Sequence, residues 1–166
     1  GRIYAASHDG LIMALDALSG QRLWETQTQL PISGGVGLSD NDLVLAGTSK
    51  GQVIALRQDN GQEAWRATVS SEVLAAPRAA AGVVVVRSID GKFTGFDARS
   101  GERIWTYTYA MPALSLRGSA PPLVTREVVI AGLDSGKLLV LSLAKGLPIT
   151  EKAIATPRGR TEIERL

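Results

Sequence analysis

Few side chains in this sequence are suited to covalent or metal chemistry. There is one histidine, His8, and no cysteine in 166 residues. Within these residues that excludes a thiol nucleophile, a disulfide scaffold and a thiolate-bound metal, and it leaves little for histidine-based catalysis or zinc. His8 stands beside the turn signal Asp9-Gly10 and reads as a solvated turn residue. Asp40, Asn41 and Asp42 have the oxygen-rich character of a calcium loop. Leu43, Val44 and Leu45 follow at once, however, so the turn chemistry favours a plain Asx turn. Asp16 and Asp97 fall at turn positions and need no catalytic role, and Arg158, Gly159 and Arg160 read as a small solvated basic loop. What remains is recognition chemistry in the stretch 109–122. There Leu114 and Leu116 flank a serine and Arg117 follows, giving two apolar anchors and a planar cation with several donors. Either these side chains dock a partner or the leucines tuck back onto the body of the protein.

Composition bounds the rest. Hydrophobic residues make up 45% and charged residues 20%, the balance of a globular chain. A net charge of +2 is too small to imply a nucleic-acid partner or a membrane surface, although the sequence pI is near 9.2. No apolar run approaches the ~20 residues of a membrane-spanning helix. Gly1 leads directly into an apolar stretch with no initiator Met and no signal peptide, as expected of a piece of a longer chain.

The elements that position these residues come from an internal repeat. Segments 9–25, 50–66, 90–106 and 135–151 align without gaps. Their first glycines are Gly10, Gly51, Gly91 and Gly136, and a second set follows ten residues later at Gly20, Gly61, Gly101 and Gly146. Four residues beyond stand Trp24, Trp65 and Trp105, all the tryptophans of the chain, with Thr150 in the fourth copy. Each first glycine lies in a two-residue polar step between apolar runs, a tight-hairpin signal. In the first three copies the second glycine closes a turn with short polar residues. The strand between them is apolar on both faces, as in a sheet sandwiched between two others. Within it Ala14, Ala55, Gly95 and Val140 form a column of mostly small residues, which suits a close approach of neighbouring sheets. Preceding strands are predicted at 3–7, 43–48, 83–88 and 128–133, and weaker ones at 34–38, 73–78 and 120–125. About four antiparallel strands per ~40 residues, with no helical periodicity, predict an all-β fold of β-propeller blades.

The run from Ala14 through Asp16, Ser19 and Gly20 to Trp24 resembles the PQQ-type propeller repeat, as does the run from Gly95 through Asp97, Ser100 and Gly101 to Trp105. The second copy keeps Ala55, Gly61 and Trp65 but has Arg57 for the aspartate. In that repeat class the tryptophan docks on the adjacent blade, which implies an architectural role for Trp24, Trp65 and Trp105. The stretch 113–122, with its Leu-Ser-Leu-Arg-Gly-Ser-Ala-Pro, and the terminal 160–166 resemble the BamB family of outer-membrane protein assembly factors. The resemblance implies an eight-bladed propeller carried on a lipoprotein at the periplasmic face of a Gram-negative outer membrane, of which four repeats are about half. It implies a non-enzymatic scaffold with no cofactor. It also implies that Leu114, Leu116 and Arg117 contact the POTRA domains of BamA, and that unfolded outer-membrane proteins are further partners. The other reading is a fragment of a PQQ-dependent quinoprotein dehydrogenase, although the calcium-binding acidic cluster and paired cysteines expected there do not stand out. Half a ring exposes two apolar blade faces, so self-association or closure by another polypeptide is expected.

The spacing also marks an outlier. From Trp24 to Gly51 is 27 residues and from Trp65 to Gly91 is 26, whereas Trp105 to Gly136 is 31. The extra length falls in 109–122, and binding residues concentrate in loops on rigid scaffolds.

Overall fold

Short aliphatic and β-branched runs separated by glycine-closed polar turns leave the chain few local options besides hairpins. The structure, a computed structural model, describes residues 1–111 and 120–155. The described residues form fifteen strands and no helix. The first sheet holds β1 (Arg2–Ala6), β2 (Leu11–Asp16) and β3 (Arg22–Gln27). The second holds β4 (Ile32–Leu38), β5 (Leu43–Thr48), β6 (Gln52–Arg57) and β7 (Glu63–Thr68). The third holds β8 (Arg78–Ala80), β9 (Val83–Ser88), β10 (Lys92–Asp97) and β11 (Arg103–Thr108). The fourth holds β12 (Leu123–Val124), β13 (Val128–Gly132), β14 (Lys137–Ser142) and β15 (Pro148–Ala153). Each sheet is an antiparallel meander in chain order. The first has three strands, because β1 corresponds to the second strand of the others.

The sheets stack face to face, and the core is three slabs between neighbours. The first slab joins Ile12, Ala14 and Trp24 to Val44, Ala46, Ile54 and Leu56. The next joins Leu45, Val53 and Trp65 to Val84, Val86 and Phe96. The last joins Val85, Phe93 and Trp105 to Val129, Leu139, Leu141 and Leu143. Strand β6 therefore buries both of its faces, from Val53 through Leu56, as its unbroken apolar run predicts.

Several boundaries differ from the sequence reading, each for a local reason. The strand predicted at 73–78 begins only at Arg78. Val73 instead sits fully buried against Gly47, and its amide donates to the Thr48 carbonyl at 3.1 Å. The segment 73–77 runs so close along β4 that a Cβ on Gly37 would lie 1.9 Å from the Pro77 oxygen. The strand at 34–38 starts earlier, at Ile32, and that at 120–125 is reduced to Leu123–Val124. The predicted strands 3–7 and 128–133 are Arg2–Ala6 and Val128–Gly132. The hairpin turns are tight but longer than two residues. The Gly10 amide donates to the Ser7 carbonyl at 3.1 Å, so the glycine ends the turn, at φ 98°.

Candidate functional site

The second-glycine turns and the tryptophans form one repeated device. In the first sheet the carboxylate of Asp16 accepts the amides of Leu18 and Ser19 at 3.1 and 2.8 Å and the Ser19 hydroxyl at 2.9 Å. Asp97 accepts the amides of Arg99 and Ser100, both at 2.9 Å, and the Ser100 hydroxyl at 3.1 Å. The amide and hydroxyl of Ser19, then the Leu18 amide, hold Asp16 below the usual carboxylate range. The amides of Ser100 and Arg99 do the same for Asp97. These two turns end in glycine, Gly20 at φ 70° and Gly101 at φ 72°.

The corresponding turns of the second, third and fourth sheets each receive the indole of the preceding sheet. A Cβ on Gly61, Gly101 or Gly146 would lie 2.5, 2.7 or 2.4 Å from the rings of Trp24, Trp65 and Trp105 respectively. The indole N–H then donates to the carbonyl three residues before that glycine. Trp24 Nε1 lies 2.9 Å from the Gln58 oxygen, and Trp65 and Trp105 lie 2.8 Å from those of Ala98 and Leu143. Tryptophan thus buries its ring and satisfies its single donor in one place. Each tryptophan is docked on the adjacent sheet. The glycine has two reasons to be there, backbone conformation and the indole, and only the first was legible in the sequence.

The column of small residues has a related cause. Ala14, Ala55 and Gly95 pair across strands with Trp24, Trp65 and Trp105, and Val140 pairs with Thr150. A Cβ on Gly95 would lie 2.3 Å from Cε2 of Trp105. The small side chains therefore make room for the indole of their own sheet, and the larger Val140 stands where that indole is missing.

The recognition residues singled out in the sequence, Leu114, Leu116 and Arg117, lie outside the described residues, as do Arg158, Gly159 and Arg160. The flanks of the 112–119 connection are described. On one side Tyr109 is buried, and its hydroxyl accepts from Nη2 of Arg87 at 2.8 Å. Arg87, itself 4% exposed, also donates to the Gly132 carbonyl at 3.1 Å and approaches Asp134 at 3.5 Å. Its guanidinium lies 5.6 Å from the ring centres of both Phe93 and Tyr109. This buried cation ties the third sheet to the fourth, and the sequence reading did not single it out. On the other side Pro121, Pro122 and Leu123 border a groove of ≈ 390 Å³ with Leu38 and Arg78.

The remaining candidates are structural. Nδ1 of His8 faces the Ile32 carbonyl at 3.3 Å in the β1–β2 turn. The 40–42 turn is not held by its own carboxylates as an Asx turn would be. Ser39 Oγ accepts the amides of Asn41 and Leu43, each at 3.2 Å, while Asp40 reaches across to the Ala81 amide at 2.9 Å. Among the described residues no three His, Cys, Asp or Glu side chains cluster so as to hold a metal ion.

Successive antiparallel sheets, each locked onto the next by a tryptophan seated on a glycine turn, define a run of β-propeller blades of the PQQ-type repeat class. Residues 8–166 match the family described as outer membrane protein assembly factor BamB, and the chain belongs to that family. A relative of that name from Nitrosomonas eutropha is 39% identical over the whole chain, which spans 40% of the relative's length. The crystal structure of BamB from Moraxella catarrhalis superposes with a TM-score of 0.90 at 28% identity, covering 99% of this chain and 50% of that one. A quinohemoprotein alcohol dehydrogenase from Comamonas testosteroni gives a TM-score of 0.72 at 18% identity, a likeness of fold alone. The relatives are assembly factors by name, which favours the scaffold reading over the dehydrogenase.

Proposed function

We propose that this chain is part of a non-catalytic scaffold in the machinery that assembles β-barrels into the outer membrane, working at the periplasmic face. The observation that carries this is membership of the assembly-factor family along nearly the full length of the chain. In this reading the stacked sheets are a rigid frame and the 112–119 connection is the recognition element. Leu114 and Leu116 fill a shallow apolar site on a POTRA domain of BamA, and Arg117 pairs with an acidic group there. The buried Arg87–Tyr109 pair and the proline-flanked groove are the fixed supports on either side. Unfolded outer-membrane proteins are the second class of partner. Among the described residues strand β15 is exposed along its whole length at the edge of its sheet, which suits strand addition. No cofactor takes part.

The test is capture of the periplasmic domains of BamA by the unsubstituted protein and by Arg117→Glu and Leu116→Asp. Loss of at least ~10-fold in affinity for each variant, with the β-sheet circular dichroism unchanged, is expected for hot-spot residues. Unaltered capture by both variants would show that the connection is not the recognition element.

A further inference from the structure

In the first, second and fourth sheets a glutamate on the outermost strand pairs with a nearby cation. Glu25 meets Arg22 at 2.5 Å, Glu63 meets Arg66 at 2.7 Å and Glu151 meets Lys137 at 2.8 Å. The outermost strand of the third sheet, β11, carries no acid, and the counterparts of these residues are Lys92, Arg103 and Thr106. Lys92 is matched from the preceding turn by Asp90 at 2.7 Å, whose carboxylate also accepts from the Ser70 hydroxyl at 2.6 Å. Arg103 has no ion-pair partner among the described residues. A second departure from the repeat falls at the same place. Thr94 stands where the other sheets have Met13, Ile54 and Leu139. It is 4% exposed, and its hydroxyl has no hydrogen-bond partner among the described residues. A buried hydroxyl left in that state costs stability that an aliphatic side chain would not. The bulge that sets Arg103 opposite Phe96 puts Lys92, Thr94, Arg103 and Thr106 on one face, turned towards the second sheet. With Thr68 and Ser70 they line a pocket of ≈ 310 Å³ between the two sheets.

We propose that this pocket binds the carboxylate of a glutamate side chain carried on a partner polypeptide. The sister sheets each supply such a carboxylate from their own outermost strand, and the third presents the cation without it. Arg103 offers a planar fork of donors to a carboxylate. The hydroxyls of Thr94 and Thr106, cross-strand partners in β10 and β11, add further donors, which gives the buried hydroxyl its reason to be there. The charge is suited to a carboxylate and not to a phosphate dianion, because Asp90 already matches Lys92 and leaves one cation over. Access is from outside. Thr68, Ser70, Arg103 and Thr106 are exposed, and β7 and β11 are the edge strands of their sheets, so an extended segment can lay its side chain into the pocket. The inference stands apart from the partner assigned to the 112–119 connection.

The test follows the amide resonances of Ser70, Thr94 and Thr106 while the protein is titrated with N-acetylglutamate N-methylamide. Saturable shifts at these residues are expected, with binding of the neutral glutamine analogue at least ~10-fold weaker, as for charge-assisted hydrogen bonds. Two variants then separate binding from structure. Thr94→Val should weaken binding of the glutamate probe at least ~10-fold while keeping or raising the melting temperature, since the sister sheets carry Ile54 and Leu139 at that place. Thr106→Glu, at an exposed position, supplies the missing carboxylate from within the chain and should abolish the shifts by pairing with Arg103. Equal binding of the two analogues would overturn the proposal, as would undiminished binding by Thr106→Glu. Tighter binding of inorganic phosphate or of free glutarate than of the blocked glutamate would also overturn it, the first by making the site a phosphate pocket and the second by assigning it to a small free acid. A fall in melting temperature for Thr94→Val with binding unchanged would make that hydroxyl structural and remove it from the site.

Discussion

At the scale of single residues, the docked tryptophan separates three contributions that are usually merged. Trp65 buries a large ring, satisfies its N–H on Ala98 and occupies the space a side chain on Gly101 would need. Trp65→Ala is expected to cost about 3–5 kcal/mol, the usual cost of deleting a large aromatic from a packed core. Trp65→Phe keeps much of the burial but leaves the Ala98 carbonyl unpaired, for a smaller loss of about 1–3 kcal/mol. Urea unfolding of both variants checks the order, and equal losses would mean that the indole bond contributes nothing. The turn carboxylates have a different signature. Asp16 and Asp97 are held below their unfolded values by hydrogen bonds from the turn. Their contribution to stability is therefore present above about pH 4 and is lost as pH falls through the folded values. Asp16→Asn with Asp97→Asn should flatten the decline of stability between about pH 5 and 2, measured by thermal unfolding across that range. An unchanged acid slope would place the origin of acid sensitivity elsewhere, with Asp90 the next candidate. Burial opposes its ionisation, but donors from Lys92, Ser70 and Ser88 outweigh that and hold it below the ordinary value.

At the scale of elements, the third and fourth sheets are joined by more than apolar contact. Arg87 takes the position held by Gly47 in the second sheet and Gly132 in the fourth, and it fills that space with a buried cation. Its donors reach a carbonyl and an aspartate on the fourth sheet and the Tyr109 hydroxyl on its own. Tyr109→Phe removes one acceptor from a desolvated charge and is expected to cost about 1.5–3 kcal/mol. Chemical denaturation measures this, and a loss below about 0.5 kcal/mol would mean that the guanidinium is satisfied without the hydroxyl. The element scale also explains a failed strand prediction. The residues 73–78 have strand-like composition, but Gly34, Gly37 and Gly47 let this segment lie directly on neighbouring backbone. Its hydrogen bonds therefore go to the adjoining sheet instead of extending its own.

At the scale of the molecule, each sheet buries its faces only through its neighbours, so cohesion propagates from sheet to sheet as in repeat architectures. The first and last sheets break the series in opposite ways. Among the described residues no indole sits on the Gly20 turn of the first sheet, and the last sheet pairs Thr150 with Val140 where the others carry a tryptophan. The chain covers 50% of the BamB structure it superposes on. If the frame serves as a scaffold, substitutions at the locks should lower stability without selectively changing partner binding. Substitutions at Leu116 and Arg117 should do the reverse. That contrast separates the frame from its recognition element.

The repeat period and the strands on either side of each first glycine were legible in the residue order. Periodicity and turn chemistry act over a few residues, and the backbone responds to them locally. The Leu-Ser-Leu-Arg-Gly run was legible for the same reason, as an extra length in an otherwise regular spacing. The partner of each tryptophan, the reason for the small column and the buried Arg87 were decided only by the tertiary structure. Each depends on which sheet covers which. A glycine some forty residues away becomes an indole's seat only when long-range packing stacks one repeat upon the next.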